Sequence, residues 1–339
     1  MSLIYNASFD STTRVLSLLD KAGNVISSCE VPSKGGPLTF TATEDNSSVK
    51  LTKTGTVDNT YEVNTGSGWV PYTFDTVIYL NKGQSCKWRC TNHPTSFNSS
   101  KYVRFRMTGS IEASGEVYSM LSSNLSDVTT LNGYDYAFYF LFRDCTSLIK
   151  APELPATTLA EYCYSYMFCG CKSLTSAPKL PATTLARYCY DSMFQYCTAL
   201  TSAPELPATT LARYCYNSMF YGCTSLTQAP ALPATHLTSF CYRYMFSGCT
   251  SLTQAPALPA TDLANYCYQY MFSGCTSLKE VRISANWAIT DALDDWLLGV
   301  SATGDFYCDP NATIFPTDSA SGIPSGWTRR NIADYPSTP

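Results

Sequence analysis

The chain has 339 residues, of which 14% are charged, and 22 Lys and Arg against 26 Asp and Glu leave a net charge of −4. Residues 1–132 carry 11 basic and 11 acidic groups, 133–288 carry 9 and 8, and 289–339 carry 2 and 7, so no segment is basic enough to follow a phosphate backbone. No apolar run reaches the roughly 20 residues of a membrane span, and two histidines, His93 and His236, are too few for a multi-histidine zinc site.

The start, Met1 to Asn6, lacks the basic and apolar segments of a secretory signal. This points to a virion component, or to an extracellular or cell-surface protein whose signal is removed before this numbering. Residues 13–31 read as a β-hairpin around Asp20 to Asn24, and 1–33 is expected to form an anchor segment. Residues 34–118, after Gly35, Gly36 and Pro37, read as a β-sandwich-like domain. Its strands are expected on both sides of Glu44 to Asn46 and at 61–64, 73–80, 85–90 and 102–107. Residues 119–132 lead into the next part.

From 133 to 288 the sequence repeats every 26 residues, six times. Cys145, Cys171, Cys197, Cys223, Cys249 and Cys275 form one column, and Cys163, Cys189, Cys215, Cys241 and Cys267 another. Leu148 to Leu278, Met167 to Met271 and Phe142 to Phe272 keep the same period. A period of 20–29 with leucine at fixed offsets marks a leucine-rich solenoid. Leu159, Cys163 and Met167 stand at i, i+4 and i+8, the spacing of one helix face. Thr157 or Thr158 would cap that helix, and Gly170 would end it in a left-handed residue. Prolines at 152, 178, 204, 230 and 256 limit the following strand to three or four residues, because proline has no N–H for a ladder. The expected fold is an α/β leucine-rich repeat solenoid of short parallel strands plus helices over 119–288, preceded by the sandwich-like region. Residues 289–339 are expected to be a C-terminal cap and tail. In the cap, Ile289 takes the helix leucine column, Trp296 sits near the aromatic columns, 305–308 is a last strand, and 333–339 is loose.

The string Met-Phe-x-Gly-Cys-Thr-Ser-Leu-Thr, as at 245–253, followed by an extended stretch with proline, resembles the BspA-like (Treponema-type) leucine-rich repeat. The Ala-Pro-x-Leu-Pro-Ala-Thr-Thr stretch lengthens the turn relative to that family's usual unit. The resemblance implies a surface protein of gut or oral anaerobes that works by adhesion or ligand binding, and it carries over no catalytic residue.

The cysteine columns suit small buried apolar positions. Cys163 and Cys171 lie roughly 12 Å apart on a helix, too far for a bridge. Cys86 and Cys90, with His93 near, are the remaining candidates for a disulfide or a metal. Asp294 and Asp295 read as solvated acids at the terminal helix, not as a glycosidase pair. Two tyrosine columns occur, Tyr162, Tyr188, Tyr214 and Tyr266, and Tyr164, Tyr190, Tyr216, Tyr242 and Tyr268. The second is the candidate aromatic stripe. Positions that vary from unit to unit, Lys150, Ser176, Ser202, Gln228 and Gln254, and Glu153, Lys179 and Glu205, flank the short strand and are the candidate binding residues of a concave face. The expected function is non-catalytic recognition without a metal or cofactor, as a phage virion or receptor-binding protein or as a bacterial surface adhesin. A carbohydrate-active enzyme is the alternative from another class. The expected partners are a host-surface protein or glycan, with other virion or surface proteins and further copies of the chain meeting the N-terminal segment.

Overall fold

A computed structural model describes residues 6–10, 15–19, 22, 25–30, 35–92, 97–122, 129–288 and 291–335. It divides into two compact units, Met1–Gly36 and Pro37–Pro339. The first holds three strands, β1 (Asn6–Asp10), β2 (Val15–Leu19) and β3 (Val25–Glu30), paired antiparallel in the order β1-β2-β3. The expected hairpin is β2–β3, and β1 adds a strand that the sequence pattern did not show.

The second unit opens with β4 (Leu38–Ala42), β5 (Ser47–Thr54), β6 (Tyr61–Asn64), β7 (Val70–Tyr72), β8 (Ile78–Leu80), β9 (Ser85–Cys90), β10 (Tyr102–Thr108) and β11 (Ile111–Ser114). A single turn of 3₁₀-helix, Val117–Met120, follows. The turn between β4 and β5 places Asn46 at a φ of 59°, a left-handed position that asparagine tolerates. Alternation along β4 and β9 buries Phe40, Cys86 and Trp88 and leaves Thr39, Thr41, Ser85 and Lys87 on the other face. Phe105 of β10 meets Phe40 at 4.7 Å and Trp88 at 5.1 Å, so the sheets β10-β5-β8 and β11-β4-β9-β6-β7 close over one aromatic layer.

No break separates that layer from the repeats. The strand β12 (Leu148–Lys150) pairs in parallel with β11 and becomes the outer member of the larger sheet. Phe142 stacks on Phe105 at 5.6 Å and starts a buried column, Phe168, Phe194, Phe220, Phe246 and Phe272, with neighbouring rings 5.3–5.7 Å apart.

The helices expected in each repeat are absent: no α-helix occurs among the described residues. In their place each coil runs through linked four-residue turns. Cys163, Met167 and Cys171 donate their N–H groups to the carbonyls of Ala160, Tyr164 and Phe168, three residues back. The third residue of each of these turns, Tyr162, Tyr166 and Gly170, has a φ of 54°, 55° and 75°, the left-handed position of a type II turn. Between them, Tyr164, Tyr166 and Phe168 donate to Cys189, Asp191 and Met193 of the next coil at 3.0, 2.8 and 2.9 Å. The main chain thus bonds from coil to coil, where a helix would bond within itself. A helix face and a chain of four-residue turns both place i, i+4 and i+8 on one side, which is why Leu159, Cys163 and Met167 read as a helix. Tyr196 and Asp144, which replace the glycine of position 170, are left-handed too, at 59° and 62°.

The opposite side of the coil is narrower than expected. After β12, pairing is reduced to single bridges such as Ser202 with Gln228 and Gln254 with Glu280. Because the turn side also stacks at rung spacing, it is no broader than the strand side, where packed helices would need about 8–10 Å per coil. The array ends in β13 (Asp262–Leu263), β14 (Glu280–Arg282), β15 (Trp287–Ala288), β16 (Gly304–Cys308) and β17 (Trp327–Asn331). β13 pairs with β15, and β14-β16-β17 form a parallel sheet. Trp296 is buried against Tyr268 and Phe306 and closes the core. Ile289 lies outside the described residues. The tail is not loose up to 335: a 3₁₀ turn, Ile332–Asp334, returns Tyr335 to β14. No helix among the described residues is long and apolar enough to cross a membrane.

Candidate functional site

The register joins the sandwich to the array in one polar row. Ser85 of β9 lies opposite Thr41 of β4, Thr41 opposite Glu112 of β11, and Glu112 opposite Lys150 of β12. The same row continues at the repeat positions Ser176, Ser202, Gln228 and Gln254, then through Glu280 of β14 to Asp305 of β16 and Thr328 of β17. Lys150, Glu153, Ser176, Lys179, Ser202, Glu205, Gln228 and Gln254 are all exposed. Lys150, Ser176 and Ser202 each stand two residues after a buried leucine, Leu148, Leu174 and Leu200, so strict two-residue alternation does not place them: β12 passes from buried through half-buried to exposed, with a shift of register against β11, and the prolines that follow end the pairing. These residues share the rung face, and no helix backs it among the described residues, so it is not the inner side of a helix-backed horseshoe.

The candidate aromatic stripe is corrected. Tyr164, Tyr190, Tyr216, Tyr242 and Tyr268 are each 1% exposed and stack inside the coil between Phe138 and Trp296. They belong to the core. The column that reaches the surface is the other one. Tyr136, Tyr162, Tyr188, Tyr214, Phe240 and Tyr266 stack with centroids 4.4–4.7 Å apart and planes within 14°. Each ring covers its neighbours' faces, so the column offers edges and hydroxyls, not a platform for a sugar.

All fifteen cysteines with described side chains are free and buried. The columns carry a structural hydrogen bond. The thiols of Cys171, Cys197, Cys223 and Cys249 each donate to the carbonyl of a Phe 29 residues earlier at 3.1 Å, which reinforces the contact between coils. Burial pushes the Cys145, Cys189, Cys241 and Cys275 thiols up to about 12, which keeps them protonated and unreactive. Cys86 accepts from the Trp88 indole at 3.3 Å and Cys90 donates to the Asn92 carbonyl at 2.7 Å, so both thiols are engaged locally. His93 lies outside the described residues. No group of three His, Cys, Asp or Glu residues among those described could hold a metal ion. His236 is exposed, with its Nδ1 3.2 Å from the Thr235 hydroxyl.

A polar column crosses the turn side. Asp191 is 6% exposed and accepts from Asn217 at 2.7 Å and from the Ser165 and Ser192 hydroxyls at 3.4 Å. Burial raises its carboxyl to about 6, although these donors pull it down. Arg243 continues the column by donating to Gln269 at 2.6 Å, and Gln269 donates to Asp294 at 3.2 Å.

The sequence reading missed the far end of the rung face. The Tyr335 hydroxyl donates to Glu280 at 2.5 Å and accepts from Gln254 Nε2 at 2.7 Å, and that amide also meets Glu280. The Arg282 guanidinium lies 4.6 Å from the centre of the Tyr335 ring. Tyr335 sits in a tail with no repeat to mark it, so the sequence carries no signal for this contact. A groove of about 740 Å³ opens beside it between Gln228 and Gln254.

A search of curated proteins and a search of solved structures each return no match. The family model for the BspA-type leucine-rich repeat region matches six copies, over residues 93–201, 116–253 and 188–292. These matches follow the cysteine, leucine and phenylalanine columns that build the coils, and together they cover 93–292, more than half of the chain. The chain belongs to the BspA-type leucine-rich repeat family.

Proposed function

We propose that this chain is a non-catalytic recognition protein of the surface or adhesion type, which displays its rung face to a host-surface glycan or protein. The observation that carries the reading is the row from Lys150 to Gln254. Core positions around it hardly change from unit to unit, while its exposed residues pass from Lys and Glu through Ser to Gln on a rigid ladder. Such a surface varies in specificity without any cost to packing. The reading extends to a virion structural or receptor-binding role, with a bacterial cell-surface adhesin as its sister. The N-terminal sheet would join other virion or surface proteins or further copies of the chain. A three-stranded sheet in a unit of 36 residues is below the size at which domains usually stand alone, which favours a partner.

The test is a glycan and host-protein array on the purified chain, with a hydrolysis assay on every hit. The double variant Lys179→Ala/Glu205→Ala should lose at least about tenfold in affinity for a hit and keep its circular dichroism. Binding that survives this variant and its equivalents along the row would refute the assignment of the face. Turnover of a hit would refute the non-catalytic role.

A further inference from the structure

Resting on that reading of the rung face, we infer that the groove between Gln228 and Gln254 is a binding site for an oligosaccharide with one acidic sugar, whose carboxylate is held by Arg282. Four observations meet there. The main-chain series in which Thr201 donates to Thr175, Thr227 to Thr201 and Lys279 to Thr253 skips the step from Thr253 to Thr227, and the groove opens at that step.

Among the described residues, Arg282 is the only charged one on the groove wall. The nearby acid, Glu280, is already taken by the Tyr335 hydroxyl and the Gln254 amide, and Arg282 forms no ion pair among the described residues. Its guanidinium is held over the Tyr335 ring, which fixes its plane while leaving its N–H fork for a planar anion.

Pro230, Pro233, Pro256 and Pro259 line the groove. Pro233 and Pro259, which reach the surface, supply apolar faces on which sugar rings can lie, and none of the four has an N–H group. An extended peptide held by strand addition needs those donors, so the wall disfavours it. Gln228, exposed on the opposite side, adds an amide that can both donate and accept toward sugar hydroxyls. The neighbouring depression, about 320 Å³ and sharing Pro230 and Pro233, contains Glu205. The acidic sugar therefore lies at the Arg282 end, with neutral sugars toward Glu205.

The experiment is titration calorimetry of the full chain with a trisaccharide ending in glucuronic acid, and with its carboxyl-reduced form. The acidic trisaccharide should bind at least about tenfold more tightly. Arg282→Gln should remove that difference, and Arg282→Lys should restore part of it. Gln228→Glu, at an exposed position where folding is not at stake, should weaken the acidic ligand at least fivefold more than the neutral one. Equal binding of the two trisaccharides, no binding of either, or indifference to Arg282→Gln and Gln228→Glu would overturn the inference. If array hits still depend on Lys179 and Glu205, the recognition reading stands without it. If those hits fail as well, both fall.

Discussion

Ser218→Gly separates a turn-built coil from a helical one by the sign of a single measurement. Ser218 has a φ of 53° and donates its N–H to the Arg243 carbonyl of the next coil at 2.8 Å. Holding a residue with a Cβ in the left-handed region costs about 1–2 kcal/mol. Glycine removes that cost but brings about 0.5–1 kcal/mol of extra freedom to the unfolded chain. The substitution should therefore stabilise by about 0.5–1 kcal/mol. Within a helix the same change would destabilise by about 0.5 kcal/mol. Ser239 is the control. It occupies the second position of the turn that Cys241 closes onto Thr238, directly before the left-handed Phe240 with its φ of 62°, and its own φ is not positive. Ser239→Gly has no strain to relieve and should cost about 0.5–1 kcal/mol. Urea unfolding followed by circular dichroism gives both signs, and thermal midpoints should move by about 1–3 °C in opposite directions. A loss of stability in Ser218→Gly equal to that in Ser239→Gly would refute the turn ladder.

Two further outcomes follow from buried titrating groups. Cys145, Cys189, Cys241 and Cys275 are held near 12 in the folded chain by burial, against about 9 when exposed, so their contribution to stability is complete below pH 9 and is lost as pH rises toward 12. Alkaline titration watched by circular dichroism should show cooperative unfolding above about pH 9, with thiol alkylation appearing only in step with it; rapid labelling of the folded chain at about pH 8 would contradict the buried columns. Asp191, raised to about 6 by burial, favours the folded state most at pH below its unfolded value near 4 and loses that contribution as pH rises through 6. Asp191→Asn should flatten the change in melting temperature between about pH 4 and pH 7, and an unaltered slope would assign that pH dependence to other groups.

Much of this molecule is legible in the sequence because a repeat repeats its errors and its signals alike. The columns of Cys, Leu, Met and Phe fix the unit length and the core, and the prolines at 152, 178, 204, 230 and 256 fix where the strand stops. The turn side is not legible, for a definite reason. A four-residue period satisfies a helix face and a turn ladder equally, and tyrosine at 162 or 166 gives no warning of a positive φ, which is ordinarily a glycine or asparagine habit. The error then passes to the site: with helices, Tyr164 and its column would point toward solvent, whereas in linked turns two successive residues, such as Cys163 and Tyr164, both face the core. The rung residues are legible because they vary from unit to unit beside the constant Leu148, Leu174 and Leu200 positions, a contrast that does not depend on what backs the strand. Arg282 and Tyr335 are not, since they are brought together by the return of the tail.

The coil-to-coil hydrogen bonds also set how the array bears load. Tyr162, Tyr164, Tyr166, Phe168 and Gly170 all donate to the following coil, so the bonds of one interface lie side by side. Tension that separates coils evenly must break them together, and the buried ring columns with them. Tension that tilts one coil away from its neighbour opens them in turn. An array of this construction is strong against a straight pull and weak against peeling from an end, and its two ends are where the sandwich and the Trp296 cap are seated.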